Sequence, residues 1–350
     1  METYNVDVIV PVHSATRPIQ RAVRSALESN QARVRVSVVA HNIDPEIIRK
    51  NLGELASHPD LRLLSLMDRI PSPSGPMNLG LMSATAPYFS LMGSDDEFAP
   101  GALDSWLTIA RDTGATTVIA RIERELSGVE PLPPTRRGRT RDLDVVKDRL
   151  SYRCAPLGLV SRKKFGHLRF TPGLESGEDL EFTAELWFTG SHIAYDRTGP
   201  AYIGHEGEVD RVTTQMRTVK KDFAHLDAIF SSTWFPMLNK KQRLAFGVKT
   251  MRLHIFDAIA ARLEELEKHQ ADLVEVIDAI EKFAPGTTRL LSVCDRETID
   301  ALRHNQPDKQ TVAERISERW SGGPRAILTR NPLLALHAQA PFRTLRNTRP

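Results

Sequence analysis

Apolar runs of strand length recur through the first hundred residues: VDVIVPV (Val6 to Val12), VRVSVVA (Val34 to Ala40), LRLLSLM (Leu61 to Met67) and PYFSLMG (Pro87 to Gly93). Each ends in polar or turn-forming residues, the signature of a buried strand. Between them, RPIQRAVRSALES, DPEIIRKNLGELAS and GPMNLGLMSA repeat apolar positions at helical spacing, with Pro18 and Pro45 where a first helical turn tolerates proline. Strand alternating with helix predicts an α/β fold built on a doubly wound, mostly parallel sheet. A further strand is expected over Thr116 to Ala120 and a short one in APLGLVSR, followed by a helix in ESGEDLEFTAELWF. Ahead of that second strand, PLPPTRRGRTRD carries three prolines and four arginines, a composition that predicts an exposed, mobile loop near the mouth of the ligand crevice.

From about Thr213 onward strand signals cease and long helical patterns take over, which sets the expected division at residues 1–212 and 213–350. Ile259, Leu263, Leu266, Leu273, Ile277 and Ile280 follow each other at steps of three, four and seven, with Gln270 interrupting. So short a run favours a helix pair packed back on the first domain over an intermolecular coiled coil. The segment from Arg319 to Pro350 holds six arginines and no acid, interleaved with Leu333, Leu334, Leu336 and Phe342. That mixture admits contact with an anionic membrane surface, and equally a tail docked on its own domain or on a second subunit of a homo-oligomer.

Composition narrows the picture. A chain of 350 residues with 41% hydrophobic and 26% charged residues can build a core and is long for a single one. No apolar run approaches the length of a membrane span, and METYNVDVIVPVH lacks the features of a signal peptide, so a cytoplasmic protein is expected, at most peripheral to the inner face of the membrane. Cys154 and Cys294 are the two cysteines and read as reduced thiols. A net charge of +3 is too small to imply a nucleic-acid partner.

A doubly wound sheet binds ligands at the carboxyl ends of its strands, which directs attention to His13 to Thr16, His41 to Asp44, Asp68 and Arg69, and Ser94 to Glu97. PVHSATRP contains no glycine, so neither a dinucleotide fingerprint nor a phosphate-cradling P-loop follows the first strand. Ser94-Asp95-Asp96-Glu97 places carboxylates at a strand end, where they can hold a hard divalent cation or serve as solvated turn acids. Ser176-Gly177-Glu178-Asp179 has the form of a helix cap, and Asp179 equally has the place of a general base.

In their order, VDVIVPVH, the stretch from Gly75 to Trp106 and GEDLEF resemble the family 2 glycosyltransferases, over roughly Val6 to Val212. The resemblance implies the nucleotide-sugar-binding GT-A fold with a helical carboxyl-terminal extension. It also implies inverting transfer of a sugar from a nucleoside-diphosphate donor, of the UDP-sugar type, to a hydroxyl on a glycan, cell-envelope polymer or lipid-linked acceptor. Asp179 then corresponds to the catalytic base. Pro11, His13, His41, Asn42, Asp44, Asn78 and Ser94 become candidate donor contacts. Asp95, Asp96 and His205 become candidate ligands of a manganese or magnesium ion.

Two departures from the family pattern stand out. Ala40-His41-Asn42 replaces the paired acids usual after the second strand, and Gly93 replaces an aspartate at the start of the acidic strand end. They keep open a catalytically degenerate relative that binds a nucleotide sugar or acts as a scaffold. A nucleotidyltransferase is a weaker alternative.

Overall fold

The computed structural model describes residues 3–206, 217–304 and 308–348. The chain forms two compact units, one of Met1–Glu130, Arg139–Leu143 and Cys154–Thr213, the other of Pro131–Gly138, Asp144–Arg153 and Thr214–Pro350. The segment 131–153 is thus shared between the units.

In chain order the first unit contains β1 (Val6–Val12), α1 (Ile19–Leu27), β2 (Val34–His41), α2 (Pro45–Leu52), β3 (Leu61–Leu66), α3 (Ser74–Ser83), β4 (Tyr88–Leu91) and β5 (Glu97–Phe98). It continues with α4 (Ala102–Thr113), β6 (Thr117–Ala120), β7 (Ile122–Arg124), β8 (Gly128–Val129), β9 (Gly158–Ser161), α5 (Arg162–Phe165), α6 (Leu180–Thr189), β10 (Ala194–Asp196) and β11 (Tyr202–Gly204). The expected strands are present, with β2 one residue longer, so that His41 belongs to the strand. A seven-stranded sheet has the order β10-β6-β9-β4-β1-β2-β3, and a smaller sheet the order β5-β11-β7-β8. β1 lies parallel to β2, from Val6 opposite Val34 to Val12 opposite Ala40, and parallel to β4, from Val6 opposite Tyr88 to Ile9 opposite Leu91. β9 alone runs against its neighbours in the large sheet, pairing antiparallel with β4 and β6.

β1 is covered on both faces, as a central parallel strand must be, and its apolar run follows from that. Asp7 is the polar exception. Its buried carboxylate accepts two hydrogen bonds from Arg35, at 2.7 and 3.0 Å, and others from the N–H groups of Thr85 and Ala86, which ties the turn before β4 to β1. α3 crosses β1 so closely that a Cβ on Gly80 would lie 2.3 Å from Cγ2 of Ile9, which explains a glycine inside a helix.

The second unit is helical: α7 (Val219–Asp222), α8 (Ala224–Ser231), α9 (Lys240–Thr250), α10 (Phe256–Ala261), α11 (Leu266–Phe283), α12 (Val293–Leu302), α13 (Lys309–Ser321), α14 (Pro324–Ile327) and α15 (Pro341–Thr348). Among the described residues no strand follows β11. The apolar series is not one helix: Ile259 lies in α10, Leu263 in a 3₁₀ turn, and the rest in α11. Ile259, Leu266, Leu273, Ile277 and Ile280 are already buried, and α11 packs on α7 and α9 of the same unit. α9 and α10 are joined by a π turn, Met251–Ile255. That turn brings Lys249 Nζ to 2.7 Å from Nε2 of His254, five residues on.

The arginine loop differs from its expectation. Pro133, Pro134 and Thr135 are buried, and Arg136 grips the buried Asp148 through Nε at 2.8 Å and Nη2 at 2.6 Å. The basic tail is also held locally. Arg319 pairs with Asp295, Arg325 with Glu297 and Glu318, and Arg330 with Asp300, while Arg343 donates to the Leu336 carbonyl. Acids of α12 and α13 thus neutralise charges on which attraction to an anionic membrane would draw. Leu333 and Leu336 are exposed. Arg349 lies outside the described residues, as does most of the stretch that follows His205.

Candidate functional site

The carboxyl ends of β1 and β2 and the turn leading from β3 into α3 enclose a cavity of about 280 Å³, lined by Pro11, Val12, His13, His41, Asn42 and the proline-rich segment around Ser72. Four of the candidate donor contacts, Pro11, His13, His41 and Asn42, therefore converge in one place. His41 is nearly enclosed, and its Nε2 lies 2.9 Å from Oδ1 of Asp68. Asn42 accepts the N–H of Arg69 at 2.8 Å through Oδ1, which turns its amide nitrogen toward His41, Asp68 and the Ile70 carbonyl. Both Asn42 and Arg69 have positive φ, 55° and 60°. Asparagine tolerates that conformation better than most residues, and the mutual hydrogen bond holds both turns. Burial works against the Asp68 charge, but the Ile70 N–H, His41 and Asn42 outweigh it and hold the carboxyl below the usual range.

Three other candidate donor contacts are placed differently. Asp44 caps α2 by accepting the N–H of Glu46 at 2.9 Å. Ser94 is buried at the end of β4. Asn78 on α3 clasps the backbone of Phe170, donating from Nδ2 to its carbonyl at 2.9 Å and accepting its N–H at 2.8 Å.

That clasp bears on Asp179. The Phe170 ring lies 5.1 Å from the ring of Phe182 in α6, and Phe182 in turn lies 6.5 Å from Phe89 of β4. Asp179 is the residue before α6, half-buried, with its carbonyl accepting the N–H and the hydroxyl of Thr183 at 2.9 and 2.7 Å. Asp179 stands at the N-cap position of α6 without a capping bond from its side chain, so it does not act as the helix cap. Thr171 and Glu181 close the turn instead, at 2.7 Å.

At the end of β4, Arg17 donates to Oδ2 of Asp95, and Arg21 donates to the Asp95 carbonyl. Asp96 accepts the Tyr202 hydroxyl at 2.5 Å through Oδ2 and the His205 N–H at 3.2 Å through Oδ1. The Tyr202 oxygen in turn accepts the Gly93 N–H at 3.0 Å. Burial pushes the Asp96 carboxyl above the usual carboxylate range against the Tyr202 hydrogen bond, and the neighbouring Asp95 charge pushes the same way. The ring nitrogens of His205 lie 3.0 Å from Glu97 and 3.1 Å from Glu125.

These atoms decide whether a divalent ion fits. Magnesium and manganese want several ionised or neutral oxygen donors pointing at one centre, and a histidine ligand must offer a lone pair. Asp95 faces a guanidinium, Asp96 has a donor on each oxygen, and both His205 nitrogens face carboxylates. Among the described residues no group of three or more His, Cys, Asp and Glu side chains forms a metal-binding cluster. The candidate ligands, as arranged, do not fit the ion.

Arg17, Arg21 and Tyr202 belong to the site without being picked out by the sequence, whereas Asp68 is among the residues the sequence places just after the third strand. For Arg17 and Arg21 the signal would have been basic residues facing an acidic strand end, which sequence spacing does not display.

A mostly parallel sheet of this order, with one antiparallel strand, a small second sheet and a crevice at the carboxyl ends of β1 and β2, has the GT-A fold. Residues 7–169 match the family model of glycosyl transferase family 2. The fold is similar to crystal structures of S. aureus TarS. For residues 1–349 of TarS with UDP-GlcNAc the TM-score is 0.74 at 14% identity, covering 91% of this chain and 92% of that chain. With UDP bound to the same TarS piece it is 0.66 at 15% identity, covering 91% and 92%. For the longer TarS chain it is 0.62 at 14% identity, covering 90% of this chain and 55% of that one. No curated protein matches the chain. No helix of the described residues is long and apolar enough to cross a membrane.

Proposed function

We propose that the chain transfers a sugar, with inversion, from a UDP-sugar to an acceptor hydroxyl, with Asp179 as the base that takes the hydroxyl proton. The observation that carries this reading is the placement of Asp179. A half-buried carboxylate stands before α6 on a segment that Asn78 and the Phe170–Phe182 contact hold in position. Inversion needs one attack from the face opposite the leaving group, so one base suffices, whereas a retaining hydrolase needs a paired acid and nucleophile. The UDP-GlcNAc and UDP complexes of S. aureus TarS support the donor class. The cavity bounded by Pro11, His13, His41 and Asn42 is the natural seat for the nucleobase, at the crevice where such sheets bind ligands. The acceptor class, a glycan, cell-envelope polymer or lipid-linked hydroxyl, follows the family resemblance. No step here passes through a metal, because the candidate ligands do not fit one.

Asp179→Asn tests the reading. The change keeps the shape and the main-chain bonds to Thr183 while removing the proton acceptor, so stability and UDP binding are retained and transfer from UDP-GlcNAc or related donors falls by about 10²-fold or more. Transfer at the wild-type rate by this variant would end the assignment. A second reading, nucleotide-sugar binding without turnover, draws on Gly93 and on His41 where the family has acids. Tight UDP binding with no transfer or donor hydrolysis in the wild type would favour it.

A further inference from the structure

We infer that this domain binds a nucleoside diphosphate without a divalent cation, because Arg17 supplies beside Asp95 the positive charge that the ion would bring. The inference rests on the donor reading above only for the choice of nucleotide. A diphosphate approaching bare carboxylates at the end of β4 would meet like charge. A divalent ion removes that repulsion by bridging the two, and a guanidinium can remove it by pairing with the carboxylate and presenting donors suited to phosphate oxygens.

The structure supplies the guanidiniums. The Arg17 side chain is 6% exposed and Asp95 17% exposed, so the pair is largely withdrawn from solvent. Arg21 adds a second cation on the Asp95 carbonyl from the first turn of α1. A metal taking Oδ2 of Asp95 would have to displace this enclosed partner, and one on Oδ1 would sit beside the guanidinium charge; separating a buried ion pair is strongly unfavourable.

The rest of the strand end is also closed to an ion. Tyr202 sits between Asp96 and the Gly93 N–H, so moving Asp96 toward a metal would break a bond to a buried phenol. A Cβ at Gly93 would lie 2.6 Å from Asp96 Oδ2 and 3.0 Å from Asp95 Oδ1. An additional acid at that position would displace both carboxylates from their present partners. Glycine at 93 and arginine at 17 are therefore two parts of one arrangement.

Manganese binding by electron paramagnetic resonance, together with UDP calorimetry in chelator or in MnCl₂, tests this on the full chain. The wild type is expected to bind Mn²⁺ no more than about twofold tighter than Asp95→Asn, and to bind UDP equally in EDTA and in MnCl₂ to within about twofold. Arg17→Gln frees Asp95, so its Mn²⁺ affinity should rise about tenfold over the wild type and its UDP affinity in EDTA should fall about tenfold. Arg17→Lys retains the charge and should keep most of the EDTA-insensitive UDP binding. Should Arg17→Gln fail to fold, the comparison of wild type with Asp95→Asn decides. Wild-type Mn²⁺ affinity about tenfold above that of Asp95→Asn, or UDP binding weakened about tenfold by chelator, overturns the inference. Absence of UDP binding in both buffers counts against the donor reading instead, and the manganese arm still decides this one.

Discussion

Replacing Asn78 by alanine separates two uses of one side chain, contact with the donor and support of the segment that carries Asp179. The carboxamide makes a two-point bond to Phe170, at 2.9 Å to its carbonyl and 2.8 Å from its N–H, and Phe170 is 4% exposed. Alanine removes both bonds and leaves two main-chain groups of a buried residue without them. Each neutral bond contributes about 0.5–1.5 kcal/mol net and a stranded buried group costs about 1–3 kcal/mol, so a loss of about 2–4 kcal/mol is expected. Asn78→Asp should do comparable damage, because a carboxylate accepts the Phe170 N–H but faces the Phe170 carbonyl with a second acceptor. Urea unfolding gives the stability change from the midpoint and slope. Since Phe170 packs on Phe182 of α6, turnover should fall while UDP affinity stays within about twofold of wild type. A stability change below about 0.5 kcal/mol would refute the support role. A tenfold loss of UDP affinity at unchanged stability would return Asn78 to the donor.

Two further outcomes follow from the packing. Burial, and next the Lys249 charge, push His225 down to about 3, and the same two causes hold His254 well below its ordinary value. The folded state therefore binds fewer protons than the unfolded one, and the stability of the helical unit is full above about pH 6.5 and falls as pH is lowered toward 3, by at most about 1.4 kcal/mol per pH unit for each histidine. Urea midpoints between pH 7 and 5 should show this slope and His225→Phe should reduce it; an unchanged slope in the variant would contradict the assignment. Gly80→Ala places a methyl group 2.3 Å from Cγ2 of Ile9 and should destabilise by about 1–3 kcal/mol, and Ile9→Ala, which removes that Cγ2, should cost less in the Gly80→Ala chain than in the wild type. Wild-type stability in Gly80→Ala would show that α3 does not lie so close to β1.

The central strands were legible because burial on both faces writes a continuous apolar run, and β1 matches its run residue for residue. The short strands were not. β5, β7, β8, β10 and β11 have two or three residues each, too few for any period to register, and their pairing is decided by the tertiary fold. The same limit governs the arginine loop. Its proline and arginine content reads as exposure, but Arg136 finds Asp148 twelve residues away, and that pair draws Pro133 to Thr135 into a core. Composition describes what a segment would do alone, and a single buried partner reverses it. The tail arginines follow the same logic, since the acids that neutralise Arg319, Arg325 and Arg330 lie on α12 and α13.

At the site, topology made the loops legible and left the side-chain partners hidden. A doubly wound sheet gathers its strand ends whatever residues they carry, so His13, His41 and Asn42 could be placed in one crevice from periodicity alone. What each group faces depends on partners far away in sequence: Asp95 on Arg17, Asp96 on Tyr202, Asn78 on Phe170, separated by 78, 106 and 92 positions. An acidic strand end therefore admits two electrostatic solutions with the same local spelling. In one the carboxylates stay exposed and gather a cation from solution. In the other the chain brings its own cation, and the carboxylates hold it in place. The spelling Ser94-Asp95-Asp96 does not distinguish them, whereas the residue that faces it does, because a fixed guanidinium cannot be removed by a chelator while a bound metal can.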